Sequence, residues 1–391
     1  MEAASNRLEA GPNWGIARVK PKIVHVFEAL EAGTSRHVVD LVRHVHTVRH
    51  FVVAPERRVG SLTDETAIAR LKDAGATIHF LPMRRTPWSP NNALALAKLR
   101  RHLRILEPDV VHGHASIGGL LSRLAAVGLG RPRVYTAHGI THVRAGRAVE
   151  RSLRYLTERF VAVSPSQGEL VVDLGWIPKE RLAVIPNGVD LGPPAPVDLR
   201  ARLHLSDDAF LVGTVGRLVP EKAPIDFVAA SAIVSKAVPN ARFVLVGGGR
   251  LEEKVASAVE ASGLGDRFTL LGSLAGAAGA MGSLDVFVLA SLREGGPYTP
   301  LEAMSAGTPV VLTDVVGNRD TIEHGVSGLL VPPGDPPALA AAIVELLQDH
   351  ARRARIGEAG RARVREHFDV KTMAARYEEL YASLVADTIT R

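Results

Sequence analysis

The stretch Phe210-Leu211-Val212-Gly213-Thr214-Val215-Gly216-Arg217-Leu218-Val219-Pro220-Glu221-Lys222 decides the fold class. Its first six residues are apolar or β-branched with little polar alternation, which predicts a strand buried on both faces. The glycine, two cations and proline that follow predict a loop at its carboxyl end. The same unit recurs along the chain. Toward the N-terminus, runs at Lys22–Phe27, His50–Ala54, Thr77–Leu81, Asp109–His112, Val134–Ala137, Phe160–Ser164 and Leu182–Ile185 predict further strands. Toward the C-terminus they are Arg242–Val246, Phe268–Leu271, Asp285–Ala290, Pro309–Leu312 and Leu329–Val331. Helical patterns separate these runs, so the chain reads as α/β, with two doubly wound parallel-sheet domains.

The break falls at Pro186-Asn187-Gly188-Val189-Asp190 and the proline-rich Gly192-Pro193-Pro194-Ala195-Pro196, which cannot continue a helix or a central strand. Charge changes sign there. Residues 1–190 carry 27 basic and 17 acidic side chains, and the remainder 20 and 24, so the overall +6 divides into +10 and −4. The expected organisation is a flexible tail over 1–20, a first domain over 21–190, a linker over 191–197, a second domain over 198–370 and a C-terminal helix over 371–391. In that last segment Met373, Tyr377, Leu380, Tyr381 and Leu384 fall on one helical face.

The 391-residue chain has no cysteine, which excludes disulfides, thiolate nucleophiles and iron–sulfur ligation and fits a reducing cytoplasm. The first twenty residues carry Glu2, Arg7, Glu9 and Arg18 with no apolar run, so no signal peptide is expected. No run of 18 apolar residues occurs, so membrane contact is expected to be peripheral at most.

Four segments could carry chemistry, each at a strand's carboxyl end. Ser291-Leu292-Arg293-Glu294-Gly295-Gly296-Pro297-Tyr298-Thr299-Pro300-Leu301-Glu302 is a glycine-rich loop that opens a helix, with two carboxylates separated by seven residues after the strand Asp285–Ala290. Glycine admits a close backbone approach, and the helix start offers N–H groups to an anion. Thr299-Pro300-Leu301-Glu302 equally reads as a capping box, with Glu302 merely capping. Gly216-Arg217 with Lys222 could clamp a diphosphate, or be a solvated loop pair with Glu221. His138, in Thr136-Ala137-His138-Gly139, could orient a sugar hydroxyl or help move a proton, or be a packed imidazole. Glu31-Ala32-Gly33-Thr34-Ser35 leads into a helix expected from about Ser35 to His46 and could present N–H groups to a phosphate.

Eleven of the fifteen histidines precede Asp190, and His44, His46, His112 and His114 invite a metal. No carboxylate-bearing zinc pattern such as H-E-x-x-H appears, and no metal site is expected. Arg84, Arg85 and Trp88, followed by Lys98, Arg100, Arg101 and Arg104 on a helix, form a basic segment. Its stripe Leu96, Leu99, Leu103, Leu106 is expected to face the sheet, and its basic surface could also meet lipid headgroups. No nucleic-acid-binding module appears.

Taken together, Glu294 with Glu302-Ala303-Met304, Gly216-Arg217 with Glu221-Lys222, Ile185-Pro186-Asn187-Gly188-Val189-Asp190 and Gly307-Thr308-Pro309-Val310 resemble the retaining glycosyltransferases of family 4. His112-Gly113-His114-Ala115-Ser116, Arg123 and Tyr135–Gly139 resemble the branch that assembles bacterial surface polysaccharides or glycolipids. The resemblance implies the GT-B architecture: two Rossmann-like domains facing a cleft, acceptor side first and nucleotide-sugar side second, with the C-terminal helix returning to the first domain.

By matching position, Arg217 and Lys222 would neutralise the donor diphosphate, Glu302 would bind ribose hydroxyls, and Glu294 would lie by the donor sugar. Gly216, Gly295, Gly296, Pro297, Tyr298 and the backbone around Thr299, Pro300 and Leu301 would line the donor, while Gly33 and Thr34 close from the first domain. His138 would sit beside the donor sugar or the acceptor hydroxyl.

The implied reaction is metal-independent hexosyl transfer from a nucleotide diphosphate sugar, UDP-sugar favoured over GDP-sugar, to a sugar-bearing, lipid-linked or polysaccharide acceptor. No permanently bound cofactor is implied, no D-x-D motif appears, and the site of action would be the cytoplasm or the cytoplasmic face of an anionic membrane. A sugar-nucleotide epimerase of related fold, or a silent nucleotide-sugar-binding subunit, are the alternatives. Two departures stand out: Gly296-Pro297 replaces the usual aromatic-glycine pair, and Gly33-Thr34 keeps one glycine of two.

Overall fold

Continuous Val/Ile/Leu-rich runs form the central strands, which are buried, while strands at the sheet edges are only partly covered; all thirteen runs form parallel-sheet strands. The computed structural model describes residues 20–28, 32–56, 65–140, 144–192 and 195–390. The expected tail over 1–20 lies outside these residues except for Lys20, as do Glu31, His142 and, in the linker, Pro193 and Pro194. By internal packing the chain divides into two units: Met1–Val161, Val171–Ile185 and Met373–Arg391, and Ala162–Leu170 with Pro186–Thr372.

The first unit's sheet has seven strands, β1 (Lys22–Val26), β2 (Arg49–Ala54), β3 (Thr77–Phe80), β4 (Val110–His114), β5 (Arg133–Ala137), β6 (Arg159–Ala162) and β7 (Leu182–Val184). Their order is β3-β2-β1-β4-β5-β6-β7, with β1 parallel to both β2 and β4. Intervening helices are α1 (Ala32–His44), α2 (Glu65–Asp73), α3 (Pro90–Leu106), α4 (Ser116–Ala125), α5 (Arg144–Leu153) and α6 (Pro165–Asp173). On one face Val24, Val26 and Val111 pack with Leu99 and Leu103 of α3 and Leu121 of α4. The stripe expected on α3 thus faces the sheet, with Leu96 and Leu106 partly buried beside it.

The second unit holds α7 (Leu199–Arg202), β8 (Phe210–Val215), α8 (Pro224–Ala237), β9 (Ala241–Val246), α9 (Glu252–Ala261), β10 (Phe268–Gly272) and β11 (Val286–Leu289). It continues through α10 (Tyr298–Ser305), β12 (Val310–Thr313), α11 (Asn318–Thr321), β13 (Leu329–Val331), α12 (Pro336–Gln348) and α13 (His350–His367). Its sheet runs β10-β9-β8-β11-β12-β13, all parallel. Asp335 and Asp349 cap α12 and α13, their side chains accepting from the N–H groups of Ala338 and Arg352.

The final helix, α14 (Val370–Ile389), returns to the first unit, where Tyr377 and Tyr381 are fully buried. Their hydroxyls reach His37 of α1 and His112 of β4 at 3.1 and 2.7 Å. In the first unit Arg123 is also buried, 1% exposed, paired with Glu150 at 2.9 Å and stacked on Tyr135 with its guanidinium 4.0 Å from the ring centre.

Two expected helix starts move. The first helix begins at Ala32 rather than near Ser35, so Gly33 and Thr34 form its first turn, where N–H groups lack intrahelical partners. The capping box over Thr299–Glu302 does not form, because α10 begins at Tyr298 with Pro297 at its N-cap and no side-chain cap bond. Pro297 is extended, and Pro300 fits inside the first turn because its missing N–H would have no partner there.

Candidate active site

In an open parallel sheet, ligands gather at the strands' carboxyl ends where the strand order reverses. In the second unit that point lies between β8 and β11, which are adjacent although two strands separate them in sequence. The two strongest sequence signals, Gly216–Lys222 and Ser291–Glu302, follow these two strands directly.

Lys222 ends the short turn Pro220–Lys222, and its Nζ donates to Glu294 Oε1 at 2.5 Å. The same oxygen accepts from Ser291 Oγ at 2.6 Å. Thr313 Oγ1 donates to the Ser291 carbonyl at 2.5 Å, and Asn318 Nδ2 donates to the Thr313 carbonyl at 2.9 Å. The end of β12 thereby steadies the loop after β11. Arg217 is exposed, and its guanidinium has no partner among the described residues. The alternative pairing of these cations with Glu221 does not form: Glu221 lies 3.9 Å from Arg250.

Glycines bring the loops together. A Cβ on Gly247, at φ +140°, would lie 1.9 Å from the Gly216 carbonyl oxygen, so the loop after β9 can abut the loop after β8 only through glycine. Gly317, at φ +84°, likewise sits against the backbone of Gly295 and Gly296. Gly295 is buried, Gly296 half-buried, and Tyr298, Pro300 and Leu301 turn into the core of α10, while Thr299 and Glu302 are half-buried.

Sequence reasoning missed two supports. Asn187 Nδ2 donates to the Gly296 carbonyl at 2.6 Å. Ser166 Oγ donates to Asp320 Oδ2 and accepts from the Gly317 N–H. The motif Asn187-Gly188-Val189 offered a signal for the first; nothing local marks the second.

In the first unit the reversal lies between β1 and β4. Gly33 and Thr34 follow β1, and His138 follows β5, the neighbour of β4. His138 is half-buried in a nest of imidazoles: His37 meets it edge-on at 4.7 Å between ring centres, and its Nε2 lies 3.3 Å from His114 Nδ1. Parallel register pairs His25 with His112, and alternation puts His112 and His114 on the same face, toward α1 and α14.

One nitrogen each of His25, His112 and His114, and of His37, His114 and His138, lie within 4.8 Å of one another, a spacing that could hold a metal. Of the four histidines first considered, His112 and His114 are in these groups, and His44 and His46 are in neither. Both ring nitrogens of His25, His112 and His114 are engaged in hydrogen bonds. Burial, reinforced by neighbouring imidazoles, holds the pKa values of His25, His112, His114 and His138 well below the ordinary value, and burial lowers that of His50.

Two Rossmann-like units with glycine-lined, cation-bearing loops at the second switch point define the GT-B class of glycosyl-transferring enzymes. The chain belongs to glycosyltransferase family 4. Residues 32–192 match the model described as Glycosyltransferase Family 4, and residues 198–363 match Glycosyl transferases group 1.

It is 31% identical over 376 residues to the lipopolysaccharide core biosynthesis glycosyltransferase LpsD of Rhizobium meliloti, covering 93% of this chain and 99% of that one. It is 29% identical over 310 residues to the Escherichia coli UDP-Gal:alpha-D-GlcNAc-diphosphoundecaprenol alpha-1,3-galactosyltransferase, covering 75% of this chain and 80% of that one. Among solved structures, the Anabaena protein HepE in complex with UDP and glucose matches with a TM-score of 0.80 at 23% identity, covering 93% of this chain and all (100%) of the other. The sucrose-phosphate synthase of Thermosynechococcus elongatus matches at 0.81 and 22%, covering 94% and 100%. The chain is a glycosyltransferase, and these likenesses confirm the expected fold.

Proposed function

We propose that this enzyme transfers a hexosyl unit from a UDP-sugar to a hydroxyl of a polysaccharide or lipid-linked precursor, with retention of anomeric configuration. The observation that carries the reading is the Lys222–Glu294 pair at the β8/β11 switch point, with the unpartnered Arg217 side chain on the same loop as Lys222. Relatives named for UDP-galactose transfer and for lipopolysaccharide core biosynthesis support the donor and acceptor classes.

In this reading the second unit holds the donor. Arg217 and Lys222 neutralise the diphosphate as the sugar–phosphate bond breaks, the role a metal plays in other transferases. Glu302 accepts from ribose hydroxyls, and the N–H of Thr299, in the first turn of the helix, faces a phosphate oxygen; Pro300 has none to offer. Glu294, already held by Lys222 and Ser291, turns its second carboxylate oxygen to the donor sugar. His138 serves the acceptor hydroxyl or the donor sugar, and Gly33 and Thr34 offer backbone N–H groups to a phosphate. The new bond forms from the acceptor oxygen to the anomeric carbon on the face the phosphate leaves, and the acceptor's proton passes to the leaving phosphate.

The test is a thermal-shift screen of UDP-, GDP- and ADP-sugars, followed by NMR of the product's anomeric centre in EDTA. Stabilisation by a UDP-sugar and a product with the donor's configuration are expected. An inverted product, or an isomerised donor with no acceptor present, would overturn the reading.

We also place the enzyme at the cytoplasmic face of an anionic membrane. Among the described residues no helix is long and apolar enough to cross one. The outer side of α3 and the loop before it expose Trp88 (86%), Leu94 (48%) and Ile105 (69%) beside Lys98, Arg101 and Arg104. Arg100 is occupied, donating to the carbonyls of Ala125 and Val127. Neutralising Lys98, Arg101 and Arg104 should weaken binding to anionic vesicles by about a hundredfold, at about 1 kcal/mol per charge. Unchanged cosedimentation would remove the membrane from the proposal.

A further inference from the structure

Four histidines in the first unit form one hydrogen-bonded file. His50 Nε2 lies 2.8 Å from the Val45 carbonyl oxygen. His25 Nε2 lies 3.0 Å from His50 Nδ1, and His25 Nδ1 lies 3.0 Å from His114 Nε2. His114 Nδ1 then lies 3.3 Å from His138 Nε2. The first three rings are buried; the fourth is half-buried at the carboxyl end of β5.

The file has a direction. A carbonyl only accepts, so His50 must carry its proton on Nε2 to donate to Val45. A neutral imidazole has one N–H, so His50 Nδ1 is a lone pair and accepts from His25 Nε2. The same step repeats: His25 Nδ1 accepts from His114 Nε2, and His114 Nδ1 accepts from His138 Nε2. His138 is left with a lone pair on Nδ1, which has no partner among the described residues.

The neighbouring network lacks this direction. His112 meets Tyr381 and Thr136, Thr136 meets Tyr377, and Tyr377 meets His37, all through hydroxyls that can turn to donate or accept.

The direction requires neutral rings, and the surroundings favour neutrality. The groups facing the file are themselves uncharged or able to be so: His37 from α1, His112 from β4, Tyr381 from α14, and His46 beside His50. The carboxylate nearest the far end, Glu378, accepts from the N–H groups of His46 and Thr47 and the Thr47 hydroxyl. Burial opposes a charge on any ring of the file.

We propose that His114, His25 and His50 are positioning residues that lock His138 as the Nε2–H tautomer, so that its Nδ1 accepts a hydrogen bond from a substrate hydroxyl. The hydroxyl rests on the glycosyl-transfer reading above; the tautomer does not. The consequence is specificity: a hydroxyl is welcomed at Nδ1, and a group that can only accept is repelled.

The experiment is long-range 15N–1H NMR on the full chain with 15N-labelled histidine at pH 7.5. His25, His50, His114 and His138 should each show a protonated Nε2 and an unprotonated Nδ1. A protonated Nδ1 on His138, or a charged ring there, would overturn the proposal. So would stoichiometric Zn2+ uptake by these rings, since a metal takes the lone pairs that the file shares.

His50→Leu removes the lock, and His50→Asn keeps an acceptor near the Nδ1 position. His50→Leu should mix the His138 tautomers and lower kcat/KM by about tenfold or more, with His50→Asn recovering most of the loss. A loss of activity with the His138 signals unchanged would overturn the positioning role while leaving glycosyl transfer intact. If His50→Leu does not fold, the wild-type spectrum decides alone. A wild-type chain with the expected tautomers and no transferase activity would overturn the function and leave the tautomer assignment standing.

Discussion

The two units have the same kind of switch point and furnish it in opposite ways. Between β1 and β4 the first unit places uncharged rings: imidazoles packed against one another, buried, and joined by hydrogen bonds that leave little freedom. Between β8 and β11 the second unit places charges: Lys222, Glu294 and Arg217 on loops drawn together by glycine. A buried edge can hold titratable groups only in their neutral form, whereas a loop edge near water can keep full charges. On the proposed function, the same topology serves a neutral hydroxyl in one unit and a phosphate in the other.

The largest expected effect breaks the first half of this contrast with acid. The folded pKa values of His25, His50, His112, His114 and His138 are lowered, so below about 6.5 the unfolded chain binds protons that the folded chain refuses. Their stabilising contribution is therefore complete above that pH and lost as pH falls through and below it. Each contributes a slope of about 1.4 kcal/mol per pH unit, or about 7 kcal/mol for all five. The first unit should unfold in acid with uptake of several protons, followed by the fluorescence of Trp88 and Trp176, which both belong to it. A flat fluorescence signal down to pH 4.5 would show that the rings are charged when folded.

A smaller effect separates buried charge from surface charge. Arg123 is a charge buried within the first unit, and Arg123→Ala leaves Glu150 buried without its partner. The expected loss is about 3–5 kcal/mol, read from denaturant unfolding. Arg123→Met with Glu150→Leu should restore much of it, because removing both charges also removes the desolvation cost.

The smallest change in stability accompanies a large change in rate, in the second unit. Arg217→Ala, at an exposed and unpartnered side chain, should move stability by no more than about 0.5 kcal/mol. It should lower kcat/KM by about a hundredfold or more, and Lys222→Ala should do the same. Near-normal turnover in both variants would dissolve the comparison, since the charged edge would then have no chemical task.

Much of this was legible locally. Thirteen apolar runs each became a strand within a residue or two, because the central strands, buried on both faces, write their burial into consecutive side chains and the edge strands continue the pattern. The charged loops were legible because they follow their strands directly. Thr299–Glu302 shows the limit: its spacing spells a capping box with Thr299 as N-cap, yet the helix starts at Tyr298 with Pro297 as N-cap, two residues earlier. The histidine file was not legible. His25, His50, His114 and His138 come from β1, β2, β4 and the loop after β5; of the histidines that resembled ligands only His114 belongs to it, and His44, His46 and His112 lie outside.

The sequence by itself determined the alternation of strand and helix, the two doubly wound units and the placing of cations at strand ends. Short-range burial pattern and loop chemistry suffice for that. Only the tertiary structure decided which groups meet: Lys222 with Glu294, Asn187 with Gly296, and four imidazoles in a directed file. The reason is register. Parallel strands distant in sequence are set side by side by the sheet, and a shift of one residue would turn His25, His112 and His114 to the opposite face.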